Sequence, residues 1–321
     1  MNAVVQTLTE LQWIILVLSA LLLFLYGLEH FSKELQNVGG DRLPRWLGTA
    51  TQNRVRGLML GAGVTAVVQS SSAVSALVVA LVNSGALSFS GSLAVMLGAK
   101  IGTTSTAWLV SFNLTHLGPA LIVLGGFLTL LPFSVRVAGR AIFYFGFILF
   151  ALDLIGTALA PLRHSPTLLE WLTYAQEPTL GILIGIVMTV VLQSSSVVSG
   201  LAIVLVQSQV LDPQAAVAIV VGATLGTTTT ALIASLPMNT AAQRAAQMNL
   251  LFNAVGVVLM WPFMRLFAQW AVGLSESPDQ AVAIANLAFN AGVALLFLPF
   301  TAWLAAKFAP KPNKPASRAL L

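Results

Sequence analysis

The chain alternates between long apolar stretches and short polar connections, a pattern typical of a protein that crosses a membrane several times. About 20 consecutive apolar residues are enough for a helix to span a bilayer. Stretches of this kind predict crossings at roughly 11–31, 90–112, 117–132, 141–160, 213–235, 246–264 and 282–305. We therefore expect an all-α polytopic membrane protein with one transmembrane domain over residues 1–321.

Two further apolar stretches, 57–84 and 181–209, are interrupted at their centres by the tetrapeptide Gln-Ser-Ser-Ser. Four consecutive hydrogen-bonding side chains are costly to bury in a membrane without partners. A backbone broken at membrane depth is tolerated only inside protein or beside a wet cavity. Each stretch is therefore predicted to be a re-entrant helical hairpin, which enters the membrane and turns back at the serines.

The two tetrapeptides, Gln69–Ser72 and Gln193–Ser196, are 124 residues apart and define an internal repeat. Between 61–111 and 185–235, 23 of 51 positions are identical without a gap. The spacing predicts repeat 1 over about 11–135 and repeat 2 over about 136–305. Because three crossings separate equivalent points, the two halves should have opposite orientations, as inverted repeats do in transporters.

Composition and charge agree with this topology. The chain is 57% hydrophobic and 8% charged, whereas soluble domains carry about 25% charged residues. Twelve of the 15 Lys and Arg residues fall on one side if loop 33–56 is cytoplasmic, and only Arg163 and Arg265 fall on the other. Such a bias sets orientation and does not point to nucleic acid. It predicts an external N-terminus and a basic cytoplasmic tail at 306–321. A short chain of this composition is typical of a bacterial inner membrane, which we expect here.

About thirty residues after each tetrapeptide, a glycine- and threonine-rich segment follows, at Gly98–Thr106 and at Gly222–Thr230. Glycines permit unwinding, so we expect each span to be broken here, with helices restarting at Thr103 and Thr227. Free N–H groups at such breaks bind anions, and the carbonyl and hydroxyl oxygens suit sodium. The structural alternative is that the hydroxyls bond back to carbonyls of their own helix or across a helix interface.

The predicted binding residues all lie in these polar clusters. The predicted anion-binding residues are Gln69, Ser70, Ser71, Ser72, Lys100, Thr103, Thr104, Gln193, Ser194, Ser195, Ser196, Thr227 and Thr228. The predicted sodium ligands are Ser71, Ser72, Thr104, Ser195, Ser196, Thr224 and Thr228. We predict no catalytic residues, because no His, Glu or Arg adjoins either tetrapeptide to act as a base or clamp.

The paired tetrapeptides, the paired glycine-threonine segments and the Leu-Phe-Asn at Leu251–Asn253 closely resemble the sodium-dependent phosphate cotransporter family, which includes the type II cotransporters of animals and their bacterial relatives. The resemblance covers most of residues 20–300. It implies symport of inorganic phosphate with sodium as the coupling ion, by alternating access, with both hairpins forming the site and no other cofactor. Symport of another oxyanion or a small carboxylate, a passive channel and a membrane-embedded lipid-phosphate phosphatase are the alternatives. The sequence does not decide between a monomer and a homodimer.

The chain departs from the family pattern at several positions. Lys100 and Thr224 stand where the family usually has Asn, and Asn249 and Asn286 where it often has His. A further C-terminal helical domain, present in some bacterial relatives, is not expected here. A Lys at membrane depth is costly and usually functional. We expect its ammonium to occupy or repel a sodium site or to contact phosphate; the alternative is that it snorkels to the surface or pairs with Glu29 or Asp153.

Overall fold

The computed structural model describes residues 2–39, 42–48, 53–112, 114–131, 134–159 and 177–309, and this part of the chain is helical without strands. Six of its helical segments are long and apolar enough to cross a membrane: Ile15–Asn37, Phe89–Ser111, Val135–Leu159, Pro213–Ser235, Thr240–Leu274 and Pro278–Phe308. The predicted all-α polytopic membrane class is confirmed. Arg163 and most of the predicted tail lie outside the described residues.

The helices of the first half follow the predicted order, but the predicted crossing at 117–132 is a helix of only 12 residues and is not among the six spans. They are α1 (Asn2–Gly39), α2 (Arg42–Gly48), α3 (Arg54–Val68), α4 (Ser71–Asn83), α5 (Phe89–Ser111), α6 (Gly118–Thr129) and α7 (Ser134–Leu159). The second half contains α8 (Pro178–Leu192), α9 (Ser195–Gln207), α10 (Pro213–Gly226), α11 (Thr228–Ser235), α12 (Thr240–Met260), α13 (Met264–Leu274), α14 (Pro278–Phe297) and α15 (Thr301–Phe308). Short 3-10 turns at Leu114–Leu117, Trp261–Phe263 and Leu298–Phe300 join some of these helices.

Both predicted hairpins are present. Helices α3 and α4 are separated only by Gln69 and Ser70, and helices α8 and α9 only by Gln193 and Ser194. The arms contain 15 and 13 residues in each hairpin, which at 1.5 Å per residue is about 20–23 Å. Because the hydrocarbon core of a bilayer is about 30 Å thick, each arm is too short to cross it and must end inside.

The predicted break in the first glycine-threonine segment is wrong. Helix α5 runs continuously through it, from Phe89 to Ser111. In the second half, α10 ends at Gly226 and α11 begins at Thr228. Even there Thr227 keeps right-handed helical angles and its N–H bonds to the carbonyl of Ala223 at 3.2 Å. Neither segment therefore presents a fully unwound helix end.

Close packing, not unwinding, explains the glycines of these segments. A Cβ atom at Gly98 would lie 1.9 Å from the carbonyl oxygen of Leu58 in α3, and one at Gly61 would lie 2.1 Å from that of Val95 in α5. In the second half, a Cβ at Gly222 would lie 2.1 Å from the carbonyl oxygen of Ile182. Small residues of this kind let membrane helices approach backbone to backbone, so the glycines clamp each hairpin onto the following span.

The open ends of the two hairpins lie at opposite ends of α12. At its start, the backbone N–H of Asn239 bonds to Asn83 at the end of the first hairpin, at 2.8 Å. At its finish, the indole of Trp261 bonds to Thr179 at the start of the second hairpin, at 3.0 Å. The 21 residues of α12 span about 32 Å. This arrangement supports the predicted opposite orientation of the two halves.

Candidate functional site

The two hairpin tips have the same backbone conformation. Gln69 (φ 56, ψ 22) and Gln193 (φ 54, ψ 21) both adopt the left-handed region, which is uncommon for residues other than glycine. Ser70 and Ser194 follow in extended conformation, and each hydroxyl caps the next helix by accepting from the N–H three residues on, at 3.2 and 3.4 Å. The internal repeat thus extends from sequence to backbone geometry.

Each tip glutamine ties its hairpin to the following span. The side-chain carbonyl of Gln69 accepts from the hydroxyl of Thr106 at 2.7 Å, and that of Gln193 accepts from Thr230 at 2.9 Å. Each amide nitrogen donates to the backbone carbonyl three residues earlier. Because the last carbonyls of a helix lack intrahelical partners, the glutamines satisfy the broken helix ends and fix the tips in place.

The two tips meet each other. The hydroxyl of Ser72 donates to the backbone carbonyl of Gln193 at 3.2 Å, and the hydroxyls of Thr106 and Ser196 lie 3.5 Å apart. Ser71 and Ser72 belong to the first turn of α4, as Ser195 and Ser196 belong to that of α9. The first N–H groups of a helix have no intrahelical partner. Two sets of such donors therefore converge where the halves join.

Both tips are open to one cavity of about 460 Å³, which Gln69, Ser70 and Ser194 line together with residues of α1. Among the α1 residues are Glu29 and Lys33, which form an exposed ion pair at 2.5 Å. A solute in this cavity can thus reach the N-terminal turns of α4 and α9. No residue of α1 is among those predicted from the sequence to bind phosphate or sodium.

The tips differ in their exposure although their backbones match. Gln69 is buried (7% exposed), whereas Gln193 is exposed. On the first tip, the hydroxyl of Ser32 in α1 donates to the carbonyl of Val68 at 2.8 Å. The repeat-equivalent of Ser32 is Gly156, which has no hydroxyl to offer. Ser32 therefore anchors the first tip, and Gly156 cannot form the equivalent hydrogen bond to the second tip.

The threonines of the second cluster use their hydroxyl protons within their own helices. Thr103, Thr104, Thr227 and Thr228 donate to carbonyls three or four residues earlier, at 2.7–2.9 Å. This is the structural alternative expected for such residues. A hydroxyl that has donated its proton retains only acceptor capacity, so these oxygens can receive a cation but offer an anion no donor.

Lys100 is buried among polar groups. It is 5% exposed, and its ammonium donates to the backbone carbonyl of Thr224 at 2.9 Å. The alternative that Lys100 snorkels to the surface is wrong, because the side chain is buried. The alternative of an ion pair is also wrong, since Glu29 bonds to Lys33 and Asp153 is exposed. The small cavity around the ammonium is lined by Thr103, Ser195, Ser199, Thr224, Asn286 and Asn290.

The structure adds site residues that the sequence analysis did not assign. Thr106 and Thr230 hold the tip glutamines, and their duplication at the 124-residue offset could have identified them. Asn286 and Asn290 line the cavity around Lys100. Repetition within the sequence could have identified these residues too. The pair recurs as Asn249 and Asn253, with the same amide-to-carbonyl bond across one helical turn.

Comparisons with known proteins agree with one another. The family model described as Na+/Pi-cotransporter matches residues 23–157 and 164–275. The chain is 29% identical over 284 residues to the uncharacterized protein YqeW of Bacillus subtilis, covering 88% of this chain and 92% of the relative. It is 30% identical over 287 residues to the putative inorganic phosphate export protein YjbB of Escherichia coli, covering 88% of this chain and 53% of the relative.

A more distant similarity extends to animal proteins. A stretch of 100 residues, 30% of this chain, is 34% identical to 14% of the human sodium-dependent phosphate transport protein 2B. The chain spans about half the length of the YjbB proteins and nearly the full length of YqeW. No solved structure matches the chain.

Proposed function

Because this chain belongs to the Na+/Pi-cotransporter family, we propose that it is a secondary transporter that moves inorganic phosphate together with sodium by alternating access. The observation that carries the proposal is the meeting of the two hairpin tips beneath one open cavity. Inverted-repeat transporters bind substrate where discontinuous helices from both halves converge. The name of the relative YjbB, putative inorganic phosphate export protein, supports phosphate as the substrate.

Phosphate binds at the N-terminal turns of α4 and α9. These turns supply unpaired backbone N–H groups and the positive ends of two helix dipoles, which together form an anion site with little formal charge. Ser70 and Ser194 sit at the two helix starts and line the cavity from which the anion enters. Their hydroxyls, with that of Ser196, which accepts from Thr106, complete the donor set.

Sodium binds to oxygen atoms of the hairpins and of the two glycine-threonine segments. Thr104 and Thr228 have donated their hydroxyl protons to backbone carbonyls, so their lone pairs can coordinate a cation. Ser71 and Ser195 lie one residue beyond the tip caps and are buried. A sodium ion held beside the bound anion offsets its charge inside the membrane, which couples the two solutes.

Alternating access follows from two halves of opposite orientation. The same tip structure occurs in each half, yet Gln69 is buried and Gln193 is exposed. An exchange of these two environments would close the cavity on one side and open an equivalent one on the other. Transport in either direction uses this cycle, so the solute gradients determine whether the protein imports or exports phosphate.

The alternative of a lipid-phosphate phosphatase has little support in this site. Glu29 lines the cavity, but its carboxylate accepts from Lys33 of its own helix. The hydroxyls of Ser70 and Ser194 act as helix caps. Within the described part of the chain, no base is hydrogen-bonded to either serine, as activation of a nucleophile requires.

The test is uptake of radiolabelled phosphate into proteoliposomes that contain the purified protein. An inward sodium gradient should drive concentrative uptake, and a potassium gradient of equal size should not. Unlabelled phosphate inside the vesicles should accelerate the uptake of labelled phosphate by exchange. A channel does not produce this stimulation. Excess sulfate or a small carboxylate outside tests the competing substrates. Absence of phosphate uptake and exchange from monodisperse, correctly reconstituted protein would overturn the proposal.

A further inference from the structure

Lys100 breaks the symmetry of the internal repeat. Its equivalent in the second half is Thr224, and the ammonium of Lys100 donates to the backbone carbonyl of that same residue at 2.9 Å. A residue and its own repeat equivalent therefore meet. This places the ammonium at the junction of the two halves, close to the axis that relates them.

Among the residues that the structure describes, the ammonium has no acidic partner. Its small cavity is lined by residues from α5, α9, α10 and α14: Thr103, Ser195, Ser199, Thr224, Asn286 and Asn290. All six are uncharged, polar and at most 8% exposed. Because an unpaired buried charge is strongly unfavourable in a membrane, the neutral oxygens around Lys100 must provide what stabilisation it has.

These oxygens form a surrounding that suits a cation. The hydroxyls of Thr103 and Thr224 donate to backbone carbonyls at 2.9 and 2.7 Å, which leaves only their lone pairs for the cavity. The amide nitrogen of Asn290 is likewise used, in bonds of 2.8 Å to Asn286. The carbonyl of Thr224 lies in the last turn of α10 and accepts from the ammonium. Hard cations prefer oxygen ligands of these kinds.

We propose that the Lys100 ammonium is a built-in cation, which occupies a coordination position that sodium would take if residue 100 were neutral. The inference rests on the proposed sodium-coupled transport and adds to it the number of ions. The wild-type protein moves each phosphate with one sodium ion fewer than a variant whose residue 100 supplies only a neutral oxygen.

Direct contact between Lys100 and phosphate is a weaker reading of the same geometry. The space left around the ammonium is about 10 Å³, roughly one water-sized sphere, which does not admit a phosphate ion.

The position also explains why only one half carries the lysine. Two ammonium groups that meet at the junction would repel each other strongly in a medium of low dielectric constant.

The test compares wild type with Lys100→Asn and Lys100→Met in proteoliposomes. We expect the sodium-to-phosphate ratio of Lys100→Asn to rise by one, measured as the phosphate gradient that balances a known sodium gradient. Lys100→Met has neither charge nor an oxygen ligand, and its uptake should fall at least about tenfold. An unchanged ratio in Lys100→Asn, or full activity of Lys100→Met, would overturn the inference.

A charge transfer across the junction provides the matched control. Thr224→Lys alone places two ammonium groups together and should abolish uptake. The double variant Lys100→Thr, Thr224→Lys returns one ammonium to the same position from the other half, and it should recover wild-type sodium dependence. Failure of the double variant, when it is as monodisperse and as well inserted as wild type, would contradict the built-in cation.

A binding measurement separates this inference from the proposed function. In detergent, sodium at about 100 times its dissociation constant should raise the apparent melting temperature of Lys100→Asn by on the order of 5 °C more than that of wild type. Potassium and choline should produce no such difference. If wild type transports no phosphate, the proposed function fails while this result still supports the cation position. Equal sodium shifts in both proteins would reject the cation position alone.

Discussion

At the scale of single residues, the tip serines have two duties that a substitution can separate. Ser70 and Ser194 cap α4 and α9 and line the cavity. Ser70→Ala or Ser194→Ala should weaken the cap by about 1 kcal/mol and also remove a donor from the proposed anion site. We expect phosphate uptake to fall at least about tenfold while membrane insertion stays normal.

The chain offers a matched control for this prediction. Ser88 caps α5 with the same hydrogen-bond pattern, accepting from the N–H of Gly91 at 3.1 Å, but it is exposed beyond the open end of the first hairpin. Ser88→Ala should lose a similar amount of cap stability and retain uptake. Equal losses in all three variants would show that the effect at the tips is one of stability alone.

The glutamine contacts predict unequal effects of equivalent substitutions. Thr106→Val removes a buried donor from Gln69, which should cost about 1–3 kcal/mol, whereas Thr230→Val removes a donor from the exposed Gln193, which water can replace. We expect Thr106→Val to impair uptake and thermal stability more than Thr230→Val. The reverse order would mean that the two tips exchange environments in the resting state of the membrane-embedded protein.

At the scale of helices, the packing of each hairpin on the next span depends on glycine. Gly61 and Gly63 both lie in α3, but a Cβ at Gly61 would meet the carbonyl of Val95 at 2.1 Å and one at Gly63 would meet nothing within 4 Å. Gly61→Ala should destabilise the protein by about 1–3 kcal/mol. Gly63→Ala should be neutral or stabilising by up to about 1 kcal/mol.

Thermal unfolding of the two variants in detergent checks this difference, because both carry the same substitution in the same helix. A comparable loss in both would mean that α3 responds to any added methyl group and that the contact with α5 is not specific. The sequence predicts unwinding at the glycines of the glycine-threonine segments. The continuous α5 contradicts this prediction, since its glycines face backbone atoms of α3.

At the scale of the whole molecule, the two hairpins should open to opposite sides of the membrane. The chain has no cysteine, so a single introduced thiol gives an unambiguous signal. Ser84→Cys reports on the open end of the first hairpin and Gln214→Cys on that of the second, and both positions are exposed. In intact cells, a membrane-impermeant maleimide should label Gln214→Cys from outside and Ser84→Cys only after permeabilisation.

This pattern combines the geometry with the distribution of charge. The open ends lie at opposite ends of α12, and the distribution of basic residues predicts that the end near Ser84 is cytoplasmic. Labelling of both positions from the same side would reject the inverted repeat. Labelling of each from the side opposite to the one expected would keep the repeat and reverse the orientation.

Local patterns in the sequence were sufficient to predict the membrane class, the two hairpins and the duplicated polar clusters. These features are local: burial of the backbone requires helices in a bilayer, and a polar tetrapeptide in a short apolar stretch has few other solutions than a turn. The repeat of Gln-Ser-Ser-Ser then predicted one site made from two halves. Hydrophobic pattern and internal repetition carry this much because each acts within a single segment of chain.

The contacts between those segments became known from the three-dimensional structure. The glycines, expected to break the helices, are packing contacts between them. The tip glutamines bond to Thr106 and Thr230, and Lys100 bonds to the carbonyl of Thr224. Such contacts depend on how whole helices pack across more than a hundred residues of sequence, and no local pattern records them. The sequence marked Lys100 as anomalous, and the packing of the two halves gave it a neutral oxygen cage.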